Sequence, residues 1–322
     1  MKSTPGQSDL LKATLEHAQK FLDDLDDAPV APVAPCAELP HPFNPCLPTR
    51  PWAAREGMGQ LGNDTAGGLT HNQGGRFFAW VIGGSLPAAL AADWLTSTWD
   101  QNSGMFSVAP AAAVVEEVCG RWLLDVLQLP TKASFALVTG CQMAHVTCLA
   151  AARNAVLARH NWDVEQRGLI GAPAIRVLTG DQRHGTIERA VRMLGLGRDC
   201  IVDIATGGNG QLRVEPLRAA LVAAADAPTI VLLQAGDLNT GSFDPYHELI
   251  PLAHEHHAWV HIDGAFGLWA AASPTYRHLC DGIATADSWA TDAHKWLNVP
   301  YDCGVAIVAE RDAHHRAMSH HA

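Results

Sequence analysis

From Ser134 onward, short apolar runs alternate with helix-length amphipathic stretches, the pattern of an α/β sheet. The runs SFALVT, IRVLTG, CIVDIA, TIVLLQ, AWVHID, SWAT and GVAIVAE predict seven strands, and AHVTCLAAARNAV and TIERAVRMLG predict helices between the earlier ones. Such a series predicts one mainly parallel seven-stranded sheet flanked by helices. In sheets of this kind ligands bind beyond the carboxyl ends of the strands, so chemistry is sought just after each apolar run. Before Ser134 the pattern differs. Leu11, Leu15, Ala18, Leu22 and Leu25 recur at helical spacing behind Ser8 and Asp9, which suit an N-cap, and predict an opening amphipathic helix that needs a partner surface. Pro29, Pro32, Pro35, Pro40, Pro42, Pro45, Pro48 and Pro51 then favour an extended arm. Residues 86–98 and 111–129 predict two helices joined by a loop around Asn102 to Gly104. The chain thus divides into an N-terminal helical and extended segment, residues 1–110, and a large α/β domain, residues 111–322.

Composition narrows the class. With 48% hydrophobic and 17% charged residues over 322 positions, the chain has ample material for a core, which excludes disorder and a small disulfide scaffold. The net charge of −11, with no Lys/Arg-rich run, argues against nucleic-acid or anionic-membrane partners. MKSTPGQSDLLKATLEH lacks an apolar signal core, and VIGGSLPAALAADWL meets a charge before it spans a bilayer, so a cytoplasmic location is expected. Cys36, Cys46, Cys119, Cys141, Cys148, Cys200, Cys280 and Cys303 are scattered without CxxC and read as small buried thiols. HEHH (His254 to His257) and the terminal HHRAMSHHA lack an HExxH arrangement and read as solvated histidines, so no metal site is expected.

Four features after strands have the chemistry of a site, each with an ordinary alternative. Lys295, in SWATDAHKWLN, is the only lysine after Ser134 and sits beside Trp296 and Leu297. A desolvated amine of this kind is a usable nucleophile for Schiff-base chemistry, while the alternative is a surface lysine whose stem covers a tryptophan. Asp263 closes AWVHID ahead of Gly264 and Ala265 and can hold a buried ring nitrogen protonated, or simply cap a turn. His184, in LTGDQRHGTIERA, can lie flat on a ring or cap a helix. The turn VTGCQMAHV presents backbone N–H groups from Thr139 to Gln142 at a helix N-terminus, where a phosphate fits.

In this order, HIDGAFG and ADSWATDAHKWLN, supported by DQRHGTIERA, LNTGSFDP and FFAW, resemble the group II pyridoxal-phosphate decarboxylases, the family of aromatic amino acid, glutamate and histidine decarboxylases. The resemblance runs from about Gly75 to Val308. It implies the large domain of a fold-type I enzyme with pyridoxal 5'-phosphate as cofactor, Lys295 as its Schiff-base lysine, Asp263 on the pyridine nitrogen and His184 on the ring. It further implies that His294 and the backbone around Cys141 and Gln142 hold the phosphate, that Ala265 touches the ring face, and that the protein is a homodimer. Trp80 and Phe106 fall where relatives line the substrate pocket and lean towards an aromatic or apolar amino acid. The implied activity is decarboxylation of an L-amino acid. The alternatives are an aminotransferase or amine-oxidising activity, or a noncatalytic subunit of the same fold.

Departures from the family pattern carry their own expectations. TGCQMA lacks the usual small or hydroxyl residues followed by an acid, Leu238 replaces a hydroxyl residue, and Asp292 places a carboxylate where a phosphate would be repelled unless His294 or an arginine intervenes. Relatives continue into a loop carrying a tyrosine and a small C-terminal domain. This sequence stops at Ala322, and its tyrosines, Tyr246, Tyr276 and Tyr301, match no such loop, so a fragment or a shortened protein is expected.

Overall fold

The structure is a computed structural model that describes residues 6–35, 37–39 and 51–319. It separates into two compact units, Met1–Gly84 and Ser85–Ala322.

The first unit holds α1 (Gln7–Asp23) and α2 (Ala54–Ala66), neither with a fully buried residue. The opening helix begins earlier than expected. Gly6 adopts a left-handed φ of 92° and caps it, which places Ser8 and Asp9 inside the first turn, where the Asp9 charge favours the helix N-terminus. The proline arm is tied down by hydrogen bonds to its backbone: the Val33 and Ala34 N–H groups donate to the Gly67 carbonyl, and the Arg76 guanidinium donates to the Ala28 carbonyl. Pro40, Pro42, Pro45 and Pro48, with Cys36 and Cys46, lie outside the described residues.

The second unit opens with α3 (Pro87–Trp99) and α4 (Pro110–Val126), each started by a proline whose missing N–H costs nothing in a first turn. There follow β1 (Ser134–Val138), α5 (Cys141–Ala158), α6 (Val164–Arg167), β2 (Arg176–Gly180), α7 (Gly185–Met193), β3 (Ile201–Ile204), α8 (Val214–Val222) and β4 (Thr229–Gln234). The unit continues with α9 (Tyr246–Glu255), β5 (Trp259–Asp263), β6 (Ser288–Asp292), β7 (Gly304–Val308) and α10 (Arg311–Met318). All seven expected strands form one sheet in the order β1-β7-β6-β5-β4-β2-β3, parallel except for β7, which runs against both β1 and β6. Because successive side chains of a strand point to opposite faces, the near-continuous apolar runs bury both. Leu178, Val231, Leu233, Val260, Ile262 and Trp289 pack on one face with α8 and α9. Val177, Ile230, Leu232, Trp259 and Ala290 pack on the other with α5 and α7. Each such branched side chain contributes roughly 1.5–3 kcal/mol of burial.

Helix α5 is the most enclosed of the helices, since Ala144, Cys148, Ala151, Ala152 and Ala155 are small enough to bring its axis close to the sheet. No described helix is long and apolar enough to cross a membrane. The six described cysteines are free thiols, three of them buried. Two histidines expected to be solvated are instead used by the fold. His254 Nε2 lies 2.9 Å from Asp287 Oδ2, and buried His314 sets Nδ1 2.7 Å from Ser134 Oγ, because each faces a polar group on a neighbouring strand or strand-entry segment.

Strands β1 and β6 both oppose β7, so β1 to β6 point the same way and their carboxyl ends share one edge with the amino end of β7. There Gly304 meets the turn after β1: a Cβ on it would lie 2.4 Å from the Gly140 carbonyl carbon. Gly304→Ala must therefore displace that backbone. It is expected to cost about 1–3 kcal/mol in urea unfolding, and an unchanged midpoint would show that the turn yields freely.

Candidate active site

The shared edge gathers three chain segments. The β1–α5 turn passes through Gly140, whose φ of 112° is open to glycine and puts the first N–H groups of α5 at the edge. Strand β5 ends in Asp263, with Gly264 and Ala265 behind it, and β6 ends in Asp292, three residues before Lys295.

Asp263 is buried, and burial pushes its carboxyl above the ordinary carboxylate range. The Ala265 N–H donates to Oδ1 at 3.2 Å and works against the upward shift, as do nearby Lys295 and His184. A carboxylate in such a place is stabilised by any cation that reaches it.

Asp292 is also buried and meets three donors. The Cys141 N–H, the first of α5, donates to Oδ1, His294 Nε2 lies 3.5 Å from the same oxygen, and Lys295 Nζ lies 3.2 Å from Oδ2. His294 is fixed in turn: its Nδ1 accepts the Cys303 N–H at 3.1 Å, so a ring proton sits on Nε2, and its ring packs 4.4 Å from that of Tyr301. The carboxylate of Asp292 thus serves as the anion that a buried helix N-terminus requires.

Behind Asp263 lies a group that the sequence reading missed. His145, fully buried in α5, has Nε2 3.6 Å from Asp263 Oδ1 and 3.4 Å from Cys141 Sγ, and Nδ1 3.0 Å from His261 Nε2. Burial pushes both imidazoles down to about 3, so both are neutral, and burial together with Asp263 and Asp292 pushes the Cys141 thiol up. Cys141 Sγ, a His145 ring nitrogen and an Asp263 oxygen lie within 4.8 Å of one another, and burial keeps the sulfur as the thiol, so the three form a packed polar cluster. The signal was present in spacing. His261 and Asp263 are two apart and share a strand face, and Cys141 and His145 are four apart and share a helix face.

The expected site residues are placed as follows. Lys295, Asp263, Ala265, His294 and Cys141 converge on the edge. His184 caps α7, its Nδ1 2.9 Å from Thr186 Oγ1, and its charge reaches both Asp263 and His145. The Gln142 side chain bridges to α7, donating to the Thr186 carbonyl and accepting from Arg189, which leaves its backbone for any ligand. Phe106, between α3 and α4, is 67% exposed, and Trp80, in the first unit, is 76% exposed.

Residues 44–322 match the pyridoxal-dependent decarboxylase conserved domain. The chain belongs to that family. It is 32% identical over 275 residues to tryptophan decarboxylase 1 of Oryza sativa subsp. japonica, covering 80% of this chain and 52% of that one. It is likewise 32% identical over 250 residues to 4-hydroxyphenylacetaldehyde synthase of Rhodiola rosea, covering 73% and 49%. Among solved structures, Oryza sativa TDC with PLP and tryptamine superposes with a TM-score of 0.90 at 26% identity, covering all of this chain and 67% of that one. The chain spans about half the length of the relatives it matches. The family resemblance and the seven-stranded, mostly parallel α/β fold expected from the sequence are thus both confirmed.

In a pyridoxal-dependent family the Asp292 carboxylate stands where a phosphate would approach α5. Asp292→Asn removes that charge while keeping the shape and releases the salt bridge to Lys295. Apparent affinity for pyridoxal phosphate, followed by absorbance titration, is expected to rise by roughly tenfold or more. Equal or weaker binding would mean that Asp292 supports the cofactor.

Proposed function

We propose that this chain binds pyridoxal 5'-phosphate at the carboxyl edge of the sheet and takes part in decarboxylating an L-amino acid, with an aromatic side chain as the leading class. The observation that carries the reading is the convergence of buried Asp263, Lys295 and the N-terminus of α5 on one edge. The residues fit the group. Among the described residues Asp263 has no lysine or arginine in ion-pair contact, α5 starts with an N–H group that already binds an anion, and Lys295 is the only lysine after Ser134.

When bound, the cofactor supplies an electron sink for the pair left on the substrate α-carbon as CO₂ departs. In this reading Lys295 gives the amine that attaches it, and Asp263 holds a proton at the ring nitrogen. His184 and Ala265, small enough for close approach, would flank the ring. The Cys141 and Gln142 backbone N–H groups with the His294 imidazole would hold the phosphate, where the Asp292 carboxylate now lies against the Cys141 N–H. Phe106 is assigned to the substrate side, in line with an aromatic substrate, and the name of the rice relative supports the same class.

A second reading, formation of a carbonyl product from the same amino acids, is favoured by the relative named as an aldehyde synthase. A homodimer is part of the proposal, since Leu11, Leu15 and Leu22 of α1 stand exposed in the single chain.

Borohydride reduction of the full chain with pyridoxal phosphate, followed by peptide mapping, is expected to label Lys295. Label on Lys132, or none at excess cofactor, overturns the assignment. Incubation with L-tryptophan, L-tyrosine, L-DOPA and L-glutamate then separates the activities: amine with CO₂ supports decarboxylation, aldehyde supports the second reading, and neither leaves a noncatalytic subunit. Asp263→Asn is expected to retain some cofactor and lose turnover on the order of 10²-fold or more. Unchanged turnover would make Asp263 structural.

A further inference from the structure

A chain of buried polar side chains runs from the sheet interior towards the Asp263 carboxylate, hydrogen-bonded at each link but the last, which is slightly longer. Trp259 Nε1 donates to Ser288 Oγ at 2.9 Å, and that oxygen lies 2.9 Å from His261 Nδ1. His261 Nε2 lies 3.0 Å from His145 Nδ1, and His145 Nε2 lies 3.6 Å from Asp263 Oδ1. All five side chains are buried.

Two proton orders are open to this chain, and its Asp263 end separates them. An indole N–H only donates, so Ser288 Oγ accepts from Trp259 and keeps one proton and one lone pair for His261 Nδ1. In the first order Ser288 gives that proton, and neutral His261 carries its own on Nε2 and gives it to His145 Nδ1. His145 is neutral too, so its one proton is on Nε2, facing Asp263 and the Cys141 sulfur. The reverse order, with His261 Nδ1–H directed to the Ser288 oxygens, sets a bare lone pair of His145 against Asp263 Oδ1 and suits only a protonated acid.

The geometry points to His145 as a positioning residue that, with His261, Ser288 and Trp259 behind it, turns an N–H towards Asp263 Oδ1, 3.6 Å away, and favours that carboxylate in its ionised form, aimed at the cofactor ring nitrogen. This rests on the functional reading above. A neutral imidazole suits the task, since it donates a hydrogen bond without adding a positive charge that would compete with a protonated ring for Asp263. The other charges acting on Asp263, Lys295 and His184, lie outside the chain of donors.

Two measurements test this. In the first, the full chain without added cofactor is labelled with ¹⁵N-histidine, and the His145 and His261 signals are assigned from single variants. Both rings are expected as Nε2–H tautomers at neutral pH, and an Nδ1–H tautomer at either overturns the proposal. In the second, pyridoxal phosphate is titrated into His145→Leu and His145→Gln. The leucine is expected to weaken binding roughly tenfold or more, since it removes the N–H dipole that faces the Asp263 charge. The glutamine, whose Oε1 and Nε2 replace Nδ1 and Nε2–H, is expected to stay within about threefold of the unaltered chain. Equal binding by all three proteins, or equal loss in both variants, overturns the positioning role. An unaltered chain that binds no pyridoxal phosphate overturns the functional reading instead, and the tautomers then decide the proton order by themselves.

Discussion

The site depends on an unsatisfied helix end. Helix α5 is packed so closely against the sheet that its first residue, Cys141, is buried, and its N–H sits at the edge where β5 and β6 finish. A buried positive end of this kind demands a negative partner. The Asp292 carboxylate meets the demand and draws Lys295 and His294 to itself, so one local electrostatic need sets the positions of three side chains.

Asp263 faces the opposite problem. It is an acid in an apolar setting, reached by one backbone N–H and a neutral imidazole, and its charge is costly until a cation arrives. The two carboxylates therefore play different parts at nearly the same depth. One is engaged with donors of the protein itself, and the other is held ready. Environment, rather than residue type, separates them.

The strands, the mainly parallel sheet and the edge at which the site forms were legible in the sequence because buried strands write their burial as continuous apolar runs. Lys295, Asp263 and His294 were legible because each follows such a run. Asp292 was legible as a conflict, and its partners were not, since a contact with the first N–H of α5 joins positions 151 residues apart. His145 and His261 were overlooked for a different reason. A histidine inside an apolar segment reads as core until the opposing element is known, and only the packing of α5 on β5 brings the two rings together. The N-cap of α1 was misplaced because a left-handed glycine can end a turn without any side-chain signal.

The reversed strand has a further consequence for how the molecule is made. Strand β1 stands at the rim of the sheet and pairs with β7 alone, so that Ser134 meets Val308 across 174 residues. Closing a loop of that length costs on the order of 4–5 kcal/mol of chain entropy before any contact is gained. Until β7 slides between β1 and β6, the Gly140 turn has no Gly304 to rest on, and the mouth of α5 is unframed. Assembly of the candidate site thus waits until β7 has left the ribosome, and the long sequence separation makes it slow.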